Sequence, residues 1–314
     1  MQVVYGHRCA PAWEGAAIAI GNFDGVHLGH RALISRAREL AAARGALTVA
    51  LTFDPHPAAL LAPARAPVML TTLERRIELL AAAGVDAVVV EPFTHALAGA
   101  SPDAFVDDVV IRGLHARAIV VGYDFSYGQG RTGNVEALRA HGVDAGIEVA
   151  IVAPVMVDGE IAASTRVRNH LRAGDLAGAA RMLGRPWDVD GVVVHGAERG
   201  RAIGVPTANI EPELDLAVAP GIYAVTLSAD GGPALPAVAS LGTNPTFVDG
   251  GKLVLEVHVL DWHGDLYDRR VRTTFVARLR DEQTFSSVEA LVAQIWRDVA
   301  NARVVLAEHA SHDR

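Results

Sequence analysis

The chain has 314 residues, a single cysteine and a formal net charge of −8, with 51% apolar and 20% charged residues. That length predicts about two domains, and the acidic balance excludes nonspecific nucleic-acid binding as a default while leaving room for a small anionic ligand met by local basic groups. Cys9 alone excludes an intramolecular disulfide and a cysteine metal cluster, MQVVYGHRCA lacks the pattern of a signal peptide, and no apolar run approaches the ~18 residues of a membrane helix, so the expected compartment is the cytoplasm.

The first half alternates between two patterns. AAIAIG (Ala16–Gly21) reads as a buried strand, His30–Arg44 as a helix rich in Ala, Leu and Arg, and ALTVALTF (Ala46–Phe53) as a second strand. Leu73–Gly84 reads as a helix closed by its glycine and VDAVVV (Val85–Val90) as a strand. A helix around Pro102–Arg112 precedes the strand ARAIVVG (Ala116–Gly122), and a helix at Val135–Ala140 precedes the strand IEVAIV (Ile147–Val152). Continuous apolar strands between helices predict a parallel sheet covered on both faces. Such a sheet binds ligands beyond the carboxyl ends of its strands, where the strand order switches. Thr165–Met182 reads as helical with a break near Ala173–Gly174. The pattern then changes. DVDGVVVHG, GIYAVTLSAD, PALPAVASLG, KLVLEVHVLDW and RVRTTFVARLR, separated by Gly, Pro and Asp turns, predict an antiparallel sheet or small barrel. Ser287–Ala307 closes the sequence as one long helix. The expected organisation is α/β plus β, with one domain over 1–184 and a second over 185–314.

Three stretches carry chemistry. In IGNFDGVHLGH (Ile20–His30), a strand meets a tight polar turn and then a helix start that bears His27 and His30. Free N–H groups and the dipole at a helix N-terminus favour an anion, usually phosphate. Gly21, Gly25 and Gly29 let the backbone bend and a ligand approach, and the imidazoles can donate to a phosphorus centre gaining charge. In HGAERGRAIGVPTANI (His195–Ile210), Gly196, Gly200 and Gly204 make an amide-rich loop suited to phosphate, and it is not a Walker A loop because no G-K-[ST] follows. The PTAN segment adds the oxygen donors of Thr207 and Asn209, which suit Mg²⁺. In LVLEVHVL, strand alternation puts Glu256 and His258 on the face opposite Leu255 and Val257. A glutamate there can take a hydroxyl proton within hydrogen-bond reach.

The His27-Leu28-Gly29-His30 run after a first strand resembles the nucleotidyltransferase superfamily, and GNFDGVHLGH resembles the prokaryotic bifunctional riboflavin kinase/FAD synthetase family. TFDPHP (Thr52–Pro57), LTTLERRIELL (Leu70–Leu80), VGYDFSYGQGRTG (Val121–Gly133), ASTRVR (Ala163–Arg168) and the second glycine loop follow in the family's order, so the resemblance runs from about Gly15 to Arg303. It implies a Rossmann-like nucleotidyltransferase domain and a flavokinase-like barrel, with riboflavin, FMN, FAD and ATP as substrates and products and Mg²⁺ as cofactor. It assigns Gly21, Phe23, Asp24, Gly25, His27, Gly29, His30, Ser164, Thr165 and Arg168 to ATP in the adenylyltransferase, and Asp54, His56 and Asp124 to the flavin side. Arg168 suits the role physically, since guanidinium binds phosphate bidentately. In the kinase it assigns Gly200, Arg201, Gly204, Pro206, Thr207 and Asn209 to ATP, Thr207 and Asn209 to Mg²⁺, and the base to Glu256. LGTNPTF (Leu241–Phe247) and RLRDEQTF are expected near the flavin, and His258 is expected to be structural.

Ala163 departs from the superfamily pattern, which has serine there, and one hydroxyl is lost. The Pro-His-Pro turn reads either as a rigid loop whose ring packs or as a wall of the FMN side. Three other readings stay open: an enzyme with one working activity, a flavin- or nucleotide-binding regulator, and a nucleotidyltransferase for another phosphorylated acceptor. No nucleic-acid or membrane partner is expected, and the oligomeric state is not legible.

Overall fold

The computed structural model describes residues 1–196, 204–243 and 253–312. They form two compact units, one of residues 1–67 and 73–163, the other of residues 68–72 and 164–314.

The first unit contains β1 (Gln2–Tyr5), β2 (Ala16–Ile20), α1 (Leu28–Ala42), β3 (Leu47–Asp54), α2 (Pro57–Leu61), α3 (Leu73–Ala82), β4 (Ala87–Pro92), α4 (His95–Ala98), α5 (Pro102–Ala104), β5 (Ala116–Gly122), α6 (Val135–Ala145), β6 (Glu148–Val152), β7 (Met156–Val157) and β8 (Glu160–Ile161). After α5 the chain continues as π-helical turns over Phe105–Gly113. Six parallel strands pair in the order β1-β4-β3-β2-β5-β6. From β2, the chain first builds outward through β3 and β4, then returns to place β5 and β6 on the other side. The switch point therefore lies between β2 and β5, and the Gly21–His27 turn leaves the carboxyl end of β2.

Every residue of β2 is buried, as the continuous apolar run predicts. Period-two alternation splits it between two cores. Ala16, Ile18 and Ile20 join Val49, Leu51, Phe105, Val109 and Leu138 on one face. Ala17 and Ala19 join Ala50, Ala118 and the α1 residues Leu33, Ile34 and Ala37 on the other. The small side chains on that second face let α1 lie close to the sheet. Each fully buried isoleucine contributes about 1.5–3 kcal/mol.

The second unit contains α7 (Ser164–Arg172), α8 (Leu176–Leu183), β9 (Trp187–Val194), β10 (Ala208–Pro212), β11 (Gly221–Ala229), β12 (Leu235–Thr243), β13 (Leu253–Val259), β14 (Arg270–Arg280) and α9 (Val288–His312). The six strands close into an antiparallel barrel, β10-β13-β12-β11-β14-β9. The predicted break between α7 and α8 falls at Gly174, whose φ is +74° and where a Cβ would meet Arg278 Cδ at 2.8 Å. Tyr223, Phe275 and Trp187 are all buried, with ring centroids 5.3 Å apart for Tyr223–Phe275 and 5.2 Å for Trp187–Phe275. Trp187 Nε1 donates to the Leu70 carbonyl at 3.1 Å. Helix α9 covers one side of the barrel, packing Val299, Ala302 and Leu306 against Ile222, Ala224, Val238 and Leu260. Asp298 on α9 accepts from Arg280 Nε at 3.0 Å and Nη2 at 2.7 Å.

Candidate active sites

In the first unit the turn after β2 is bent by residues with positive φ, namely Phe23 at 51°, Gly25 at 80° and Val26 at 44°. Non-glycine residues rarely adopt this conformation, and the turn is held because Phe23, Asp24 and Val26 are buried. It delivers His27 as the N-cap of α1, with Nδ1 accepting the His30 N–H at 3.4 Å. A histidine that accepts at Nδ1 carries its proton on Nε2 when neutral, so Nε2 is the donor end of His27. The two imidazoles stack with centroids 3.6 Å apart and planes 23° from parallel, and Phe23 meets His30 edge-on at 5.2 Å. Burial pushes the His30 pKa well below its usual 6.5, and the charges of His27 and Arg76 push it the same way. His30 is therefore a neutral ring at neutral pH, able to donate a hydrogen bond without adding a competing buried charge. Gly29 is needed for close approach, because a Cβ there would meet the Ala162 carbonyl at 2.9 Å.

The residues expected on the flavin side stand at the carboxyl ends of β3 and β5, the strands on either side of β2. Asp54 ends β3 and Asp124 follows β5, both exposed. His56 caps α2, accepting from Ala58 N at 3.2 Å through Nδ1, and its Nε2 pairs with the Asn22 amide at 3.2 Å. Both ring nitrogens thus hold loops in place.

The sequence reading did not single out Arg76, on α3. Its side chain is buried, and Nη1 donates to Thr52 Oγ1 at 3.3 Å and to the Phe53 carbonyl at 3.2 Å. Desolvation lowers its pKa, while Asp24 and Asp54 act in the opposite direction.

Ser164, Thr165 and Arg168 lie in the first turns of α7, in the second unit. Ser164 is half-buried, Thr165 is exposed and Arg168 is buried, with its Nε donating to the Val68 carbonyl at 2.6 Å. That bond fixes the guanidinium at the start of the helix.

In the barrel, Glu256 on β13 stands directly opposite Asn209 on β10 and Ser240 on β12. Directly opposed residues share a face, with Cβ atoms about 4.5–5.5 Å apart. Glu256 and His258 are half-buried while Leu255 and Val257 are buried, as the alternation requires. Gly196 lies flat against the Asn209 amide, and any Cβ at that position would collide with it. His258 Nδ1 pairs with the Pro206 carbonyl at 2.7 Å. It ties the Pro206–Thr207 segment to β13, a structural use of the imidazole. Thr207 and Asn209, the last residues before and within the start of β10, offer a hydroxyl and an amide oxygen. Gly204 has φ +79° with open space where a side chain would be. Gly200 and Arg201, and Asn244–Phe247 of the LGTNPTF loop, lie outside the described residues. Among the described residues, no group of three or more His, Cys, Asp or Glu side chains could hold a metal ion.

Comparison with known proteins shows two family matches along the chain. A family model described as FAD synthetase matches residues 9–166, and one described as riboflavin kinase matches residues 183–306. A curated Pseudomonas fluorescens protein named bifunctional riboflavin kinase/FMN adenylyltransferase is 41% identical over 99% of both chains. The Escherichia coli K12 protein of that name is 39% identical over 92% of both. A crystal structure from Streptococcus pneumoniae, described as a macrolide-efflux protein, superposes with a TM-score of 0.84 at 29% identity and covers 96% of this chain and 99% of its own. Among the described residues no helix is long and apolar enough to cross a membrane.

Proposed function

The chain belongs to the bifunctional riboflavin kinase/FMN adenylyltransferase family, and from that premise we propose how its residues divide the work. It is a transferase of flavin-coenzyme synthesis that phosphorylates riboflavin to FMN with ATP and then adenylylates FMN to FAD with release of pyrophosphate. We assign adenylyl transfer to 1–184 and the kinase to 185–314.

In the kinase, Glu256 draws the proton from the riboflavin 5′-hydroxyl as the hydroxyl oxygen attacks the γ-phosphorus of ATP, the bond to the β-phosphate breaks and ADP leaves. Glu256 carries this reading because its register opposite Asn209 brings the base and a phosphate-side donor onto one face. Thr207, Asn209, Gly200, Arg201, Gly204 and Pro206 hold the nucleotide. The hydroxyl and amide oxygens of Thr207 and Asn209 suit Mg²⁺, which prefers hard oxygen ligands and keeps several waters. When bound, Mg²⁺ neutralises charge on the phosphates. Positioning supplies most of the remaining rate.

In the adenylyltransferase, the FMN phosphate attacks the α-phosphorus of ATP and pyrophosphate leaves. His27 Nε2–H and neutral His30 donate to the phosphate oxygens as charge builds. The turn after Gly21 and the start of α1 supply backbone N–H groups, and Gly29 keeps the approach open. Ser164, Thr165 and Arg168 bind the triphosphate, with Ala163 supplying no hydroxyl. Asp54, His56 and Asp124 face the flavin side, with His56 also bracing its loop. Consumption of ATP and the lone cysteine suit a cytoplasmic enzyme without nucleic-acid or membrane partners.

A time course with riboflavin, ATP and Mg²⁺, resolved by chromatography, tests the reading. FMN should rise and then give way to FAD. Accumulation of FMN alone would refute the adenylyltransferase assignment and point to Ala163. Bound flavin with no conversion would favour a regulator.

A further inference from the structure

We propose that Arg76 is a positioning residue for adenylyl transfer: it fastens the carboxyl end of β3 to the turn after β2 and so fixes the loop that presents His27 and His30. The proposal rests on reading the first unit as an FMN adenylyltransferase. Arg76 Nη1 donates both to the Phe53 carbonyl at 3.2 Å and to Thr52 Oγ1 at 3.3 Å. Thr52, with no exposed surface, passes the link on by donating to the Asn22 carbonyl at 3.1 Å. Asn22 in turn pairs with His56, which caps α2. One chain of hydrogen bonds therefore joins α3, the end of β3, the turn that leads to the two histidines, and the loop after β3.

Fold stability is a poor reason for an arginine at this position. Arg76 is 2% exposed, and its Nε has no hydrogen-bond partner among the described residues. A buried guanidinium carries a large desolvation cost, and apolar residues of similar volume often replace buried charges without loss. Leu73, Ile77 and Leu80 already pack α3 on the core. What an apolar side chain cannot supply is a nitrogen such as Nη1, whose two N–H groups reach a carbonyl and a hydroxyl together. The carboxylates of Asp24, in the turn, and Asp54, at the strand end, also act on this guanidinium. The guanidinium thus bonds the end of β3 directly and reaches the turn through Thr52.

Full-length protein carrying Arg76→Met, Arg76→Lys, Thr52→Val or Arg76→Met with Thr52→Val is assayed with supplied FMN, ATP and Mg²⁺. Riboflavin kinase activity and thermal unfolding are measured on the same preparations. Misplacement of catalytic groups by about 1 Å costs roughly a hundredfold, so Arg76→Met should lower kcat for FAD formation by about ten- to a hundredfold. KM for ATP and FMN should stay within about threefold, the sign of a loss confined to the transition state. Arg76→Lys should recover part of kcat. Thr52→Val, near in shape, should lower kcat in the same direction, and adding it to Arg76→Met should cost little more, because the two sit in one network. If Arg76→Met does not fold, the Lys and Val variants decide. Variants that unfold earlier yet keep kcat, or that raise only KM, overturn the proposal. Unmodified protein that makes FMN from riboflavin but no FAD from FMN overturns the adenylyltransferase reading, and this proposal with it.

Discussion

Burial, the stacked His27 ring and the Arg76 charge all oppose protonation of His30. Because the pKa is lowered in the fold, the unfolded chain binds more protons below about pH 6.5. The neutral ring therefore favours folding fully above the unfolded value, and that contribution is lost as pH falls from there through the folded pKa. An NMR titration of the His30 ring should give a midpoint well below 6.5, and the first unit should lose stability on acidification across that range. A midpoint at or above the ordinary value would remove the neutral-donor role. Glu256 makes a separate residue-scale prediction. Glu256→Gln keeps the shape and the strand register but cannot accept the hydroxyl proton. General-base loss costs about a hundredfold or more, so FMN formation should fall by that order while supplied FMN still becomes FAD. Retention of normal kinase turnover, measured by chromatography of the products, would dismiss Glu256 as the base.

Among the elements, α9 depends on one buried ion pair as well as on its apolar stripe. Asp298 is 3% exposed and takes three bonds from Arg280 and one from Gln294. Asp298→Ala leaves the Arg280 charge without this partner beneath the helix, a change that costs about 3–5 kcal/mol. Urea unfolding followed by barrel tryptophan fluorescence should register that loss, and an unchanged midpoint would mean the apolar contacts alone hold α9. The elements also show where the sequence was readable. Strands β2 to β6 and the helices α1, α3 and α6 follow from apolar runs and period, and the α7–α8 break follows from Gly174. Several short elements did not announce themselves. β1 is a four-residue edge strand with three exposed positions, so QVVY shows no buried run. β10 lies inside PTANIEP, where proline and polar residues mask the strand pattern. α2 begins at a proline after a histidine cap, and β7–β8 is a hairpin of two-residue strands around Asp158 and Gly159. Arg76 escaped notice for another reason. A charged residue in LERRIELL reads as the solvated face of a helix, and only tertiary packing puts it under the strand ends. The pairing of Glu256 with Asn209 is a non-local register, which no local pattern encodes.

The two ways of dividing the whole molecule answer different questions. By motif resemblance, residues 164–183 go with adenylyl transfer, since Ser164, Thr165 and Arg168 carry its phosphate motif. By packing, the same residues belong with the barrel. α8 packs against β9 and β14. Val167, Leu171, Leu176, Ala179, Met182 and Leu183 are all buried, and Ala219 N donates to the Leu171 carbonyl at 3.0 Å. A riboflavin kinase fragment cut at 185 therefore discards a helical pair on which the barrel leans. Each buried aliphatic side chain is worth about 1.5–3 kcal/mol, so even partial re-covering leaves a deficit on the order of several kcal/mol. A fragment of 164–314 should unfold at clearly higher urea than one of 185–314, and Trp187 fluorescence should be blue-shifted in the longer fragment. Both fragments lack Leu70, the acceptor of Trp187 Nε1, so that lost bond cancels in the comparison. Equal midpoints would mean the barrel and α9 form a self-sufficient fold, and that α7–α8 serve only to carry the phosphate motif.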